Sequence, residues 1–348
     1  MTQNNLGVAL MSLGERLEGE AGIDALRDSE KAFRQSLEVH IRHGSAQAWA
    51  ITQNNLGVGL SSLGKKLEGK VGVNALREAE KAFRQALEVY TRESSARYWA
   101  TSNYSMGVNS VAIAARTENP EKSEHLKRAV GAFENSLLVF SRESSSERWT
   151  SIKILLAQAY RDLNDFKNSI AIYKELLSAD QDNKNAYQNL GSIYHEAIFD
   201  YAASFELHKN WLARHPEDAA AQANFSENHF TTGRFVECGN QINKLLTNSE
   251  VPASSKIALR GIEIASLVNK GKKKVIQEKL EILIAEVSKE PKEFKVVWRF
   301  NGSKNYIGQS KELAKYKGWL EKLFDAIKGP DRDAIIAALT QVKVEFKK

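Results

Sequence analysis

Apolar positions near the start of the chain return with helical spacing. Leu6, Leu10, Leu13 and Leu17 stand at i, i+4, i+7 and i+11, and the pattern resumes with Ala25/Leu26, Ala32/Phe33, Leu37 and Val39. The double run predicts two amphipathic helices. Their break falls at Glu18 to Gly22, with Asp24, or Asn74 in the next copy, as N-cap of the second helix, and Ser45 or Ser95 as cap of the following first helix.

This unit recurs. The run Trp49-Ala50-Ile51-Thr52-Gln53-Asn54-Asn55-Leu56-Gly57 has counterparts 50 residues before it, from Thr2 to Gly7, and 50 after it, from Trp99 to Gly107. Residues 2–50 align with 52–100 without a gap, and about two thirds of the positions are identical. A third, more divergent copy keeps register through Gly107, Leu126, Ala132-Phe133, Leu137, Val139, Arg142 and Trp149. A fixed period of this length specifies stacked repeats sharing one core. Gly7, Gly57 and Gly107 sit mid-helix, where glycine costs roughly 1 kcal/mol against alanine, so close approach of a neighbouring helix is expected there. Trp49, Trp99 and Trp149 are expected to wedge between the second helix of one unit and the first of the next.

From Thr150 the period shortens to about 34 residues. Leu156, Ala157, Tyr160 and Tyr173 mark one copy; Tyr187, Leu190, Gly191 and Tyr194 a second, with one inserted residue near Ile198; Phe225, His229, Gly233 and Phe235 a third. A degenerate fourth runs from Ile257 to Ser288, for about seven helix pairs in all. Three segments follow: 1–149 with three long repeats, 150–291 with four shorter ones, and 292–348 as a terminal cap. In the cap, Phe294, Val296, Trp298 and Phe300 alternate with other residues ahead of Asn301-Gly302, which predicts a β-hairpin. Two helices should follow, one capped by Ser310 and one started by Asp331 after the Gly329-Pro330 break.

Leu56-Gly57, then Leu60, Gly64 and Ala79 or Ala82 with Phe83, resembles the tetratricopeptide repeat pattern, and the resemblance covers about 290 residues. The Thr-Gln-Asn-Asn-Leu-Gly run also resembles the Leu-Asn-Asn-Leu-Ala run of kinesin light chains, whose repeats are shorter. The resemblance implies an all-α, right-handed superhelical solenoid whose concave wall is made of first helices, with the excess repeat length placed in the loop between helices. It also implies a peptide-binding groove lined by Asn4, Asn5, Val8 and Met11, by Asn54, Asn55, Val58 and Ser61, by Tyr104, Val108 and Val111, and later by Gln188 and Asn189. The asparagine amides would pair with the backbone of an extended partner. Bonding between adjacent helices is the other reading of the same side chains.

Composition is that of an ordinary soluble chain: 348 residues, 42% apolar, 26% charged and 5 Pro, with no basic leader and no apolar run of membrane-spanning length. One cysteine, Cys238, excludes an intramolecular disulfide and suits a cytoplasmic location. The net charge of +6 is divided unevenly, with +9 from Ala253 onward against −3 before it. Lys270, Lys272, Lys273, Lys274, Lys295, Arg299 and Lys304 form this basic end, and the interleaved Trp298, Phe300 and Tyr306 keep nucleic-acid binding as an alternative. Metal spacing is absent: His40/His43 is an i, i+3 pair without a carboxylate pattern, His208/His215 straddles a helix end, and Tyr194-His195-Glu196 lacks a second histidine. Gly302-Ser303-Lys304 lacks the upstream glycine of a phosphate loop. No cofactor is expected, and no nucleophile, base and oxyanion-donor set suggests an enzyme.

Met1-Thr2-Gln3 begins inside a first helix without its tryptophan or cap. The expectation is either a piece of a longer repeat protein or self-association through that helix. The sequence therefore predicts a protein-binding scaffold, with a nucleic-acid-binding regulator or a regulatory fragment of a multidomain signalling protein as alternatives.

Overall fold

The computed structural model describes residues 2–39 and 45–347, and every regular element among them is helical. The His40/His43 pair lies outside the described residues. Seven helix pairs come first, as the periodicity predicts. They are α1 (Thr2–Arg16) with α2 (Gly19–Val39), α3 (Ala46–Lys66) with α4 (Gly69–Leu87), and α5 (Arg92–Ala114) with α6 (Glu121–Leu137). Next are α7 (Ser146–Asp162) with α8 (Phe166–Ala179), and α9 (Lys184–Ser192) with α10 (Tyr201–Arg214). The last two pairs are α11 (Ala219–Thr231) with α12 (Phe235–Thr247), and α13 (Ala253–Leu267) with α14 (Lys273–Val287). The chain forms two compact units, one ending at Ala186 and one starting at Tyr187.

The extra length of the early repeats lies in the helices and not in a loop between them. α3 has 21 residues and α4 has 19, and only Leu67 and Glu68 separate them. The reversal is made by Gly69 at φ +56, and by Gly19 at φ +63 in the preceding copy, a left-handed conformation that glycine adopts without steric cost. Asp24 and Asn74 accordingly lie inside helices and cap neither. Ser45 stands at the N-cap of α3 without a side-chain bond. In α5 a first turn, capped by Thr91, whose hydroxyl accepts from Ser94 N–H, precedes a kink at Ser95 (φ −150, ψ 47), where the backbone is non-helical as at Ser45 and the main helix begins.

The mid-helix glycines are explained by one repeated contact. A Cβ at Gly57 would stand 2.7 Å from the Phe83 ring, and the same holds at 2.6 Å for Gly7 against Phe33 and for Gly107 against Phe133. Each first helix thus lies directly on the phenylalanine of its second helix. Trp149 is buried, while Trp49 and Trp99 pack partly buried against Ala50, Ala86 and Tyr90.

The predicted β-hairpin is not formed. Residues 292–300 have no regular structure, and Asn301-Gly302 opens α15 (Asn301–Gln309) with neither residue at positive φ. The alternation arises because an extended segment lies on helices: Val296 and Phe300 enter the core and no strand pairs with them. Ser310 is followed by a 3₁₀ turn, Ala314–Tyr316, and then α16 (Lys317–Ile327). Asp331 caps α17 (Arg332–Lys347) by accepting from Ala334 N–H at 2.9 Å.

In the second unit this terminal module covers the helix pairs. α16 packs on α13, α17 on α14, and α15 on α11. From Ile257 to Ser266, every residue of α13 except Arg260 is buried, which a two-faced repeat helix does not achieve alone.

Candidate functional site

In the first unit the first helices α1, α3, α5 and α7 contact one another in sequence, so their residues line one face. Asn55 Nδ2 donates to Asn4 Oδ1 at 3.1 Å, and Ser102 Oγ donates to Asn54 Oδ1 at 2.8 Å. The amides therefore tie neighbouring repeats together through one of their two ends. Asn5 is exposed; Val8, Met11 and Val58 are half-buried against a core of Phe33, Leu56, Leu60 and Phe83. Val108 and Val111 are half-buried, and Ser61 is buried. Tyr104 lines a recess of about 360 Å³ with residues of α5 and α7 and with Phe140. Over Phe140 stands the Arg148 guanidinium, 4.9 Å from the ring centre.

The second unit holds a buried polar network that the sequence reading missed. The residue inserted near Ile198 is taken up by a π-helical turn at Ile193–Ala197, followed by Phe199 at φ +57. That turn places His195 Nδ1 2.9 Å from Glu196 Oε1, and His195 Nε2 3.3 Å from Thr231 Oγ1. Glu227, fully buried on α11, accepts from Ser303 Oγ–H at 2.5 Å and from Trp298 Nε1–H at 2.9 Å. Tyr201 OH lies 2.9 Å from Gly302 O and 2.8 Å from Asn305 Oδ1. Gly302 fits so closely that a Cβ there would stand 2.3 Å from His195 Cε1. Burial pushes the Glu227 carboxyl up to about 7, against the opposing pull of His195. Burial alone would lower His195, but the Glu227 and Glu196 carboxylates outweigh it and raise the imidazole.

His195, Glu196 and Glu227 offer metal-ligating atoms within 4.8 Å of one another. The donor set does not fit an ion well. Both imidazole nitrogens and both Glu227 oxygens already have hydrogen-bond partners. The arrangement is a hydrogen-bonded clamp that fastens residues 298–305 to α11, the π-turn and the start of α10.

Gln188 is exposed and Asn189 half-buried on α9. A cavity of about 300 Å³ lies beside Gln188, between Glu196, Asn228 and Trp298. Of the basic residues, Lys270, Lys272, Lys273, Lys274, Lys295 and Arg299 are exposed, while Lys304 pairs with Asp325 at 2.5 Å. The interleaved aromatics turn inward. Trp298 is bonded to Glu227, Phe300 stacks on Phe324 with ring centres 4.5 Å apart, and Tyr306 meets Phe230 edge-on at 5.7 Å. Cys238 is buried on α12, where burial raises its thiol far above the usual range. Among the described residues no helix is long and apolar enough to cross a membrane.

These stacked helix pairs define an all-α repeat protein. The tetratricopeptide repeat family model matches residues 150–183, which hold most of α7 and all of α8, so the chain carries a tetratricopeptide repeat there. A solved tetratricopeptide repeat protein from Parabacteroides merdae ATCC 43184 is similar over 92% of this chain and 98% of its own, at 12% identity and a TM-score of 0.45. No curated protein sequence matches the chain.

Proposed function

We propose that the protein is a non-catalytic scaffold, working in the cytoplasm, that holds an extended segment of a partner protein against the first-helix face of its first unit. Repeat scaffolds of this architecture generally serve protein–protein interaction. The observation that carries the reading is the recess at Tyr104 between α5 and α7, a concave mixed polar and apolar site in register with Asn54 and Asn4. Asn54 spends its carbonyl on Ser102, so its amide N–H₂ supplies donors to a partner backbone, and Tyr104 supplies a rigid aromatic anchor. The second unit contributes less, because residues 298–305 already lie on α11 and the start of α10.

The test is selection of binders from a displayed library of random extended peptides, followed by affinity measurement on variants. Asn54→Ala and Tyr104→Ala should each weaken the selected peptides at least tenfold. Asn54→Ala should lose no more than about 1.5 kcal/mol of stability, the worth of one hydrogen bond. Peptides that bind both variants as well as wild type would overturn the reading.

A further inference from the structure

The cavity beside α9 in the second unit is lined by residues that carry two buried acceptors without donors, one on Asn228 and one on Glu196. Asn228 is 1% exposed; its Nδ2 donates to Asn224 O at 2.9 Å, which fixes the amide's orientation and leaves Oδ1 buried without a donor. Glu196 uses Oε1 on His195 and leaves Oε2 in the same condition. His208 is a third acceptor on the cavity wall: its Nδ1–H donates to Ser204 O at 2.9 Å, so its Nε2 carries a lone pair. Burial pulls that imidazole down to about 4, so it is neutral at physiological pH. Gly191 keeps the space over this ring open, since a Cβ there would stand 3.0 Å from His208 Cε1. Buried acceptors left without donors cost free energy on the order of 1–3 kcal/mol each, and native folds carry few of them.

We propose that this cavity receives a primary ammonium group, namely a lysine side chain of the bound partner. An ammonium brings three donors and no acceptor, matching a wall of Glu196 Oε2, Asn228 Oδ1 and His208 Nε2. Trp298, half-buried and also on the cavity lining, supplies an aromatic wall suited to a cation and its alkyl stem. A volume of about 300 Å³ is at the lower end for a small-ligand site and suits a single side chain. A divalent cation is less suited, because His195 is engaged at both nitrogens. Arg299, exposed at the mouth, is the chain's own cation and would compete with the ligand.

The proposal rests on the scaffold reading but is tested apart from it, with Nα-acetyl-lysine methylamide as probe and the Trp298 indole N–H resonance as readout. The free amine should shift that resonance saturably, with a dissociation constant on the order of 1 mM. The Nε-acetylated probe and the norleucine analogue should bind at least tenfold more weakly. Arg299→Gln should tighten the amine, and Glu196→Gln should weaken it at least tenfold with the fold intact. Equal shifts from charged and acetylated probes, or no saturable shift, would overturn the proposal. So would binding seen only in Arg299→Gln, which assigns the cavity to the chain's own guanidinium, or displacement of the amine by Zn²⁺ or Mg²⁺. Failure here with peptides still dependent on Asn54 and Tyr104 would leave the scaffold reading standing, and the converse result would remove only that reading.

Discussion

A glycine in the middle of a helix ordinarily weakens it, yet Gly57→Ala should destabilise this protein. The added methyl would meet the Phe83 ring at 2.7 Å, and overpacking of this kind costs about 1–3 kcal/mol, more than the roughly 1 kcal/mol gained in helix propensity. A urea midpoint at or above wild type would show that the ring yields. Glu227 makes the second residue-scale prediction. Its folded-state value is raised from 4.5 to about 7, so its protonated form favours the fold; that contribution is complete below pH 4.5 and is lost as pH rises through 7. His195, also raised, has the same sign. His208, lowered to about 4, acts with the opposite sign, so the Glu227 contribution is read as the wild-type urea midpoint minus that of Glu227→Gln, which should fall from pH 5 to pH 8; a constant difference would assign the titration elsewhere. A close helix approach at the glycine was expected from its mid-helix place, and the phenylalanine it meets was not. Nor was Glu227, because one carboxylate in Phe-Ser-Glu-Asn-His looks like any solvated helix position until its cover is seen.

At the scale of elements, residues 294–300 show how alternation can be read as a strand where none pairs, while the stretch after Asn301-Gly302, read as the returning strand, is helix α15. Alternation reports that successive side chains point to opposite sides, and it does not report whether a strand or a helix lies beside them. Here α11 provides a surface, and the hydrogen bonds that would join strands are replaced by Trp298 and Ser303 on Glu227. Gly302→Ala should loosen this element, since the new Cβ would stand 2.3 Å from His195 Cε1 and 2.7 Å from its carbonyl oxygen. We expect a stability loss of about 1–3 kcal/mol and faster hydrogen exchange of the Trp298 indole N–H. Unchanged exchange would mean that the clamp does not depend on that close approach. The insertion near Ile198 was legible as an irregularity, but the π-turn that aims His195 at Thr231 was not.

For the molecule as a whole, the exposed side of α1 sets behaviour in solution. Leu6 is 49% exposed and Leu13 47%, whereas their counterparts Leu56 and Leu63 are 4% and 5% exposed because a preceding repeat covers them. Weak, concentration-dependent self-association is expected, and Leu6→Glu with Leu13→Glu should abolish it in sedimentation velocity; a wild type that stays monomeric at high concentration would refute the idea. Periodicity by itself determined the seven helix pairs, their order and a close helix approach at Gly7, Gly57 and Gly107, because a helix pair buries the same face in every copy and so repeats its residues. Folding alone decided where the terminal segment lies and which polar side chains it encloses. Glu227 meets Ser303 76 positions later and Trp298 71 positions later, and pairings of that range depend on how whole elements dock, which no local spacing encodes.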